Sequence, residues 1–268
     1  MYKSLGVSFV VYEQEGRDKD LPAYLAEVAV AGFSAVEMRL DKFFATKEST
    51  EAMAVAMRVN ARRMHTALAE AALDDQATVS QTMINITACA DRAKPRDLEF
   101  QGVCLVPLAG ERARGEEDVK AAVDRLLVLA SSLKRRGLWL AIHNDIRESM
   151  DGGRLLRALL DQTASSEIGL SLDVEWLCRG GGDPLALLKQ YGPRLRTLHL
   201  RQSKDSVWTQ ELTDGEVDYR AIDKACRTLR NEIHLVVELN HMQATLQTRR
   251  PVDALKNSRQ YVRRVFAV

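Results

Sequence analysis

The sequence predicts an α/β fold, a single-domain (β/α)8 TIM barrel that covers residues 1–268. Short apolar runs alternate with stretches of helical spacing, which is typical of βα units around a parallel sheet. Eight such runs are present, and neither a linker nor a low-complexity tract divides the chain. A length of 268 residues also fits one barrel of this kind.

The predicted strands are rich in Val, Ile and Leu without polar alternation, as in a sheet that is covered on both faces. They span residues 4–12, 34–40, 63–69, 102–109, 138–143, 168–174, 195–200 and 233–239. Among the helices between them, stretch 21–32 ends on Gly32, and stretch 116–137 ends on basic residues and Gly137, as left-handed helix caps do. The third unit, residues 69–100, has a less sharply delimited helix, so an incomplete or irregular barrel stays open there.

Composition and charge exclude several classes of protein. The net charge is +1 and the isoelectric point is about 7.7, so no field attracts nucleic acid or an anionic membrane non-specifically. No apolar run approaches the ~18–20 residues of a membrane span, and the amino-terminal segment turns polar too early for a secretory signal. Four cysteines without a CxxC pair predict buried free thiols. We therefore expect a cytoplasmic protein with no nucleic-acid or membrane partner.

Carboxylate and imidazole side chains recur within or at the ends of the predicted strands, whose carboxyl ends carry the active site in such barrels. They are Glu37, His65, His143, Asp173, His199 and Glu238. Each alone has a plain structural interpretation, as a turn cap, a hydrogen-bonded core histidine or an ion-pair partner. Together, oxygen and imidazole ligands suit one divalent cation such as Mn²⁺, Co²⁺, Zn²⁺ or Mg²⁺. His234 is nearer the start of its strand and is expected to be structural.

The second half of the chain also carries a series of short motifs. The segments LDVEW, RGGGDP, HLRQ and TDGEVD follow the patterns L-D-x-x-W, R-G-G-x-D-P, H-L-K-D and G-x-G-x-[IV]-D. LAIHNDIRESM is similar to L-x-Y-H-N-H-D-F-E-F, and LVVELN to a terminal V-x-E. From about Gly137 onward the chain resembles the xylose-isomerase-like barrel superfamily, in particular its sugar phosphate isomerase/epimerase members. The first half matches in element order, with GFSAVEMRL as its best local fit.

The resemblance implies one divalent metal ion at the barrel mouth, bound by carboxylates of strands 5, 6 and 8 and an imidazole of strand 7. Carried over by position, three ligands are Asp173, His199 and Glu238. The fourth is expected to be Glu148, which matches the later glutamate of the H-N-H-D-F-E-F members. His143, where many members have a glutamate, is the second candidate for this ligand, or else a base.

Three positions depart from the family motifs. Asp145 replaces the second histidine of the strand-5 motif, Gln202 replaces the aspartate of H-L-K-D, and Thr213 replaces a glycine. These departures concern the identity of the substrate more than the binding of a metal. Residues 180–182, three glycines, are expected to carry the chain over the rim where side chains would crowd the pocket.

The function that the resemblance implies is an isomerase or epimerase of carbohydrate metabolism, which acts on a keto-sugar or sugar phosphate through an enediolate. The candidate catalytic groups are Glu148, Glu238 and His143, and the candidate substrate-binding residues are Arg201, Trp176, His65 and Trp208. A salt bridge for Arg201, and core packing for Trp176 and His65, are the alternative roles.

Other functions and an assembly also follow from the resemblance. The nearest alternative is a metal-dependent lyase of the inosose or keto-sugar dehydratase type, which shares the first proton abstraction. Apurinic endonuclease chemistry would need a cluster of three zinc ions, but Trp176 stands where one histidine ligand would fall. A barrel that serves only as a binding subunit would bind no metal. Barrels of this family often pair through their helices, so a homodimer is a candidate assembly.

Overall fold

Eight parallel strands close into a barrel in which each strand pairs with the next along the chain and the last pairs with the first. They are Tyr2–Ser8, Ala35–Arg39, Arg63–Glu70, Gly102–Val106, Trp139–His143, Ile168–Asp173, Leu195–Leu200 and Ile233–Val237. The computed structural model describes residues 1–14, 16, 20–96, 98–108 and 114–268. The predicted TIM barrel is confirmed. It is also closed at the third unit, where helix Val79–Ala93 connects the third strand to the fourth.

The helices follow the strands in regular alternation. The longer ones are Leu21–Val30, Lys47–Val59, Val79–Ala93, Glu116–Lys134, Ile146–Asp161, Pro184–Tyr191, Tyr219–Cys226 and Pro251–Phe266. Shorter turns are Val10–Gln14, Leu40–Phe43, Lys94–Arg96, Val174–Arg179 and Gly192–Arg194. Gly32 and Gly137 have the positive φ values expected of left-handed caps, +87° and +70°. Of the helices that the structure describes, none is long and apolar enough to span a membrane.

Most predicted strand ends agree with the structure within two residues, and two predicted strands extend further. The first strand ends at Ser8, and Val10–Gln14 is helical, with the Tyr12 amide donating to the Phe9 carbonyl at 3.0 Å. Residues 4–12 were too long a prediction, because a short buried apolar run fits a strand and a helical turn equally well. The fourth strand ends at Val106, and Ala109 of the predicted range 102–109 lies outside the described residues.

Strand register brings the polar strand ends together. Every residue of Ile168–Asp173 and of Ile233–Val237 is buried, which explains the lack of polar alternation in the sequence. Asp173 pairs with His199 across neighbouring strands. The Glu238 amide donates to the Leu200 carbonyl at 3.0 Å and extends the last strand by one residue toward the mouth.

The glycine-rich loop packs against a break in the preceding helix. Helix Ile146–Asp161 is interrupted near Gly152, and the Gly152 amide donates to the Gly180 carbonyl at 2.8 Å. A Cβ on Gly180 would lie 1.9 Å from the Ser149 carbonyl oxygen, and one on Gly182 would lie 2.4 Å from the Leu177 side chain. Close packing therefore requires Gly180 and Gly182, a role that the sequence did not predict, whereas Gly181 has open space around it and a φ of +81°.

We expect Gly180→Ala to lower the free energy of unfolding by about 2–3 kcal/mol, because the new methyl group would overlap a backbone carbonyl that cannot rotate away. Gly115→Ala is the control, since an added Cβ there has no neighbour within 4 Å. Urea unfolding of both variants measures the difference. Equal losses of stability would contradict the packing role of Gly180.

A pair of histidines lies toward the amino ends of the strands. His234 is the second residue of its strand and His65 the third of its own, and their rings stack with centroids 5.3 Å apart. The Ser4 hydroxyl lies 2.7 Å from His234 Nδ1. Burial and the neighbouring His65 lower the pKa of His234 to about 4, so this buried histidine is neutral near pH 7. The structure agrees with the structural role expected for His234.

This buried histidine predicts a loss of stability in mild acid. The unfolded chain binds a proton at His234 near pH 6.5, whereas the folded chain binds it near pH 4. Stability is therefore retained above pH 6.5 and falls between pH 6.5 and pH 4, by roughly 3 kcal/mol at most for this group. Unfolding of the native chain and of His234→Gln should diverge in slope across that window. Parallel curves would show that His234 does not titrate differently in the two states.

Candidate active site at the barrel mouth

Four side chains converge at the carboxyl end of the barrel, namely His143, Asp173, His199 and Glu238. Each offers one ligand atom, and these atoms all lie within 4.8 Å of one another. All four side chains are buried, and two of them are completely inaccessible to solvent. His143 and Asp173 end the fifth and sixth strands, His199 is the penultimate residue of the seventh, and Glu238 follows the eighth. The strand-end positions predicted from the sequence therefore meet in space.

Asp173 uses its two carboxylate oxygens for different purposes. Oδ1 accepts a hydrogen bond from the Trp176 amide at 2.9 Å and caps helix Val174–Arg179. Oδ2 points into the cluster, 2.7 Å from Nη2 of Arg201. The Asn144 side chain accepts from the Asp173 amide at 2.8 Å and fixes its backbone. The plain interpretation of Asp173 as a cap and its interpretation as a site residue are thus both compatible with the structure.

The guanidinium group of Arg201 lies inside the cluster. Nη2 is 2.5 Å from Oε1 of Glu238 and 2.7 Å from Oδ2 of Asp173, and the side chain is 2% exposed. The centre of the guanidinium lies 4.8 Å from the ring centroid of Trp208 and 5.3 Å from that of Trp176. Arg201 therefore forms a buried salt bridge to two of the predicted metal ligands.

His199 is held between two glutamates. Its Nδ1 lies 2.5 Å from Glu238 Oε2, and its Nε2 lies 3.3 Å from Glu37 Oε1. Burial alone would lower the pKa of His199, but the charge of Glu37 and hydrogen bonds with Cys104 and Glu238 outweigh burial and hold the pKa well above its ordinary value. His199 is therefore protonated near neutral pH in this arrangement.

The remaining cluster residues differ in their protonation. Burial raises the pKa of Glu238, but the charge of Arg201 and the hydrogen bond from His199 overcome it, so the pKa is lowered and Glu238 is ionised. Burial raises the pKa of Asp173 to about 6 even though Arg201 opposes the shift. Burial and the charge of His199 lower the pKa of His143 to about 3, so its imidazole is neutral.

Glu148, the predicted fourth ligand, is not in the converging group. Its Oε1 accepts from the Leu108 amide at 3.2 Å and its Oε2 from the Asp145 amide at 3.1 Å. Asp145 and Glu148 form the capping box of helix Ile146–Asp161, a D-x-x-E pattern that is visible in the sequence. Burial raises the pKa of Glu148 to about 7. Among the described residues, His143 stands in the converging group where Glu148 was expected.

Two residues outside the predicted ligand set, Glu37 and Cys104, complete the inner side of the cluster. Glu37 Oε2 accepts from the Thr66 hydroxyl at 2.7 Å, and Glu37, Cys104 and His199 form a second converging group. The sequence indicated Glu37 as a carboxylate inside the apolar run SAVEMRL, but the family resemblance gave it no ligand role. Cys104 gave no signal, because a cysteine in an apolar strand is ordinary core composition.

The predicted substrate-binding residues fall into two groups. Trp176 and Trp208 pack edge to face at 4.8 Å beside Arg201, and Trp208 ends a small hairpin formed by Ser203–Lys204 and Val207–Trp208. Trp176 also lines a cavity of about 500 Å³. His65 lies apart from this group, stacked on His234 toward the other end of the strands.

The departure at Gln202 has a structural explanation. Its Oε1 accepts from the amides of Ser203 and Val217, each at 3.0 Å, and its Nε2 donates to the Val217 carbonyl at 3.0 Å. A neutral amide supplies both the acceptor and the donor that this loop needs, whereas an aspartate would supply only acceptors. Gln202 thereby anchors the loop that follows the seventh strand.

Comparison with known proteins agrees with this architecture. A sequence model of the family described as xylose isomerase-like TIM barrel matches residues 25–265. A sugar phosphate isomerase/epimerase from Parabacteroides distasonis superposes with a TM-score of 0.76 at 17% identity, over 96% of this chain and 97% of that one. D-psicose 3-epimerase from Clostridium cellulolyticum H10 superposes with a TM-score of 0.75 at 13% identity, over 98% and 99%. At such identities the likeness concerns the fold alone.

Similarity at the level of sequence is more local. An inosose dehydratase from Bacillus thuringiensis is 29% identical over 109 residues, which are 40% of this chain. The match spans 37% of the length of that curated relative.

Proposed function

This chain belongs to the xylose isomerase-like TIM barrel family, and from that premise we propose that it is a divalent-metal-dependent isomerase or epimerase of a keto-sugar or sugar phosphate. The observation that carries the proposal is the convergence of four candidate ligands, His143, Asp173, His199 and Glu238, at the carboxyl end of the barrel. Proton transfer next to a carbonyl, through an enediolate, is the chemistry that such a site supports best.

The donor atoms of the cluster fit a divalent cation. Asp173 Oδ2 points into the cluster, where its neighbour in the metal-free chain is Nη2 of Arg201 at 2.7 Å. The ligand atoms of the four side chains lie within 4.8 Å of one another, and such mixed oxygen and imidazole donors suit Mn²⁺, Co²⁺, Zn²⁺ or Mg²⁺. We assign the ion to His143, Asp173, His199 and Glu238, where it would polarise the substrate carbonyl when bound.

Glu238 is the proton carrier in this proposal. It is ionised, and its Oε2 lies 2.5 Å from His199 Nδ1, whose hydrogen bond favours the ionised carboxylate. Both oxygens of Glu148 accept backbone hydrogen bonds, so Glu148 is poorly placed as a second carrier despite a pKa of about 7. One carrier on one face can move a proton between neighbouring carbons, whereas epimerisation at a single carbon needs a group on each face. The single proton carrier therefore favours isomerisation over epimerisation.

A dehydratase is the second candidate function. The local similarity to inosose dehydratase favours it, as does the presence of a single well-placed carrier. A dehydratase would use the same cation site and the same first proton abstraction, and would then expel a hydroxyl group from the neighbouring carbon. Glu238, once protonated, would be placed to return its proton to the leaving hydroxyl.

Isotope exchange distinguishes the two functions. The Mn²⁺-loaded protein is incubated with a panel of keto-sugars, their phosphates and cyclitol ketones in deuterated buffer, and the products are analysed by mass spectrometry. Deuterium incorporation with no loss of water supports an isomerase or epimerase. Loss of water identifies the dehydratase. If no compound exchanges or reacts, with metal bound, the proposed chemistry is wrong.

A further inference from the structure

We propose that the Arg201 guanidinium holds the cation site of the metal-free chain, and that a divalent ion binds by displacing it. The proposal rests on the proposed metal dependence, and it adds that Arg201 controls the affinity for the ion. In the loaded state the same side chain becomes available to the substrate. Arg201 would thus alternate between two roles in one site.

The contacts of Arg201 conflict with a bound ion. Its Nη2 lies 2.7 Å from Asp173 Oδ2 and 2.5 Å from Glu238 Oε1, on two of the residues assigned to the ion. These oxygens cannot face a guanidinium at these distances and also coordinate a metal on the same side. A divalent cation beside a fixed guanidinium would also meet strong repulsion, because the site is buried and little water screens the charges.

Arg201 offsets negative charge in the cluster when no metal is bound. Its single guanidinium lies between two buried carboxylates, those of Asp173 and Glu238. Buried carboxylates require such compensation. The guanidinium therefore fulfils, in the metal-free chain, the electrostatic task that the ion performs when bound.

Two nitrogens of the Arg201 guanidinium nevertheless lack hydrogen bonds. Its Nε and Nη1 are buried and have no hydrogen-bond partner within the described parts of the chain. By contrast, the half-buried Arg194 donates from Nη1 to the Thr163 hydroxyl at 3.0 Å and from Nη2 to the Thr163 carbonyl. A guanidinium with two unpaired nitrogens is easier to displace than one with all nitrogens bonded.

The surroundings give the displaced side chain a place to go. Trp176 and Trp208 flank the guanidinium at 5.3 and 4.8 Å, and Trp176 borders the cavity of about 500 Å³. Movement along the indole faces toward this cavity would keep the cation–π contact while it frees the carboxylates. The five N–H donors would then face substrate hydroxyl, carboxylate or phosphate oxygens.

Calorimetric titration with Mn²⁺ alone tests the proposal. We expect Arg201→Met, which keeps a long apolar side chain against the indoles, to bind Mn²⁺ at least ~10-fold more tightly than the native chain. Arg179→Met is the matched control, because Arg179 also lies over Trp208, at 4.9 Å, but pairs with Glu175 at 3.3 Å instead of the cluster. Its affinity for Mn²⁺ should be unchanged.

The outcomes separate this inference from the proposed function. Equal or weaker binding of Mn²⁺ by Arg201→Met, with normal binding by the native chain, overturns the displacement of Arg201 and leaves the proposed function intact. Absence of Mn²⁺ binding in both proteins overturns the proposed metal dependence, and with it this inference.

A second measurement needs no variant. Phenylglyoxal modifies accessible arginines, and Arg201 is 2% exposed in the metal-free chain. We expect its modification, mapped by mass spectrometry, to be slow with EDTA and at least ~10-fold faster with Mn²⁺, whereas Arg179 serves as an internal reference. Equal rates for Arg201 under both conditions would overturn the proposal.

Discussion

The Glu238→Gln variant is expected to exchange substrate protons about 10³-fold more slowly than the native chain, because an amide cannot take up the proton from carbon. The substitution keeps the size of the side chain and one oxygen for the metal. Glu238 also pairs with Arg201 at 2.5 Å and with His199 at 2.5 Å, so the metal content of the variant must be measured alongside its activity. Deuterium uptake by the keto-sugar found in the isotope screen gives the rate.

Glu175→Gln is the matched control for this loss. Glu175 is a buried carboxylate at the same end of the barrel, but it pairs with Arg179 at 3.3 Å and lies outside the converging group. Exchange by this variant should stay within a few-fold of the native rate. If Glu238→Gln retains the native rate with metal bound, another residue carries the proton.

We expect His143→Ala to lose affinity for Mn²⁺ and Glu148→Ala to lose stability. Loss of the His143 imidazole should weaken Mn²⁺ binding at least about 100-fold, because a donor in direct contact with the ion disappears. Loss of the Glu148 carboxylate should instead lower the free energy of unfolding by about 2–4 kcal/mol, since it leaves the amides of Leu108 and Asp145 without acceptors. Its affinity for Mn²⁺ should change little.

Calorimetry with Mn²⁺ and urea unfolding of both variants measure these effects. Glu148→Gln serves as the control for helix capping, because an amide oxygen keeps one acceptor in place. A large loss of Mn²⁺ affinity in Glu148→Ala, with native affinity in His143→Ala, would return Glu148 to the ligand set and remove His143 from it.

The barrel and the site's location could be predicted from the sequence because both depend on periodicity. Unbroken apolar runs mark buried parallel strands, and the carboxyl ends of such strands must share one rim. Asp173, His199 and Glu238 each stand at or next to the end of a run, and the structure brings them together. Here the position of a residue along its strand was enough to place it.

Position along a strand could not predict whether His143 or Glu148 is the fourth member of the cluster. Glu148 lies in the first turn of a helix, where the backbone amides of Asp145 and Leu108 donate to its two oxygens. Arg201 posed a similar difficulty, because motif spacing places its backbone on the rim without saying whether the guanidinium points outward or inward. Such directions depend on contacts between segments distant in sequence, such as the distance of 2.5 Å between Arg201 and Glu238.

Anomalous diffraction at the manganese edge, from crystals grown with Mn²⁺, can locate the proposed cation site directly. We predict one strong anomalous peak in each chain, within coordination distance of His143, Asp173, His199 and Glu238, with the Arg201 guanidinium no longer between Asp173 and Glu238. A peak coordinated by Glu148, a peak at Glu37 and Cys104, or no peak at a saturating concentration of Mn²⁺ would contradict it.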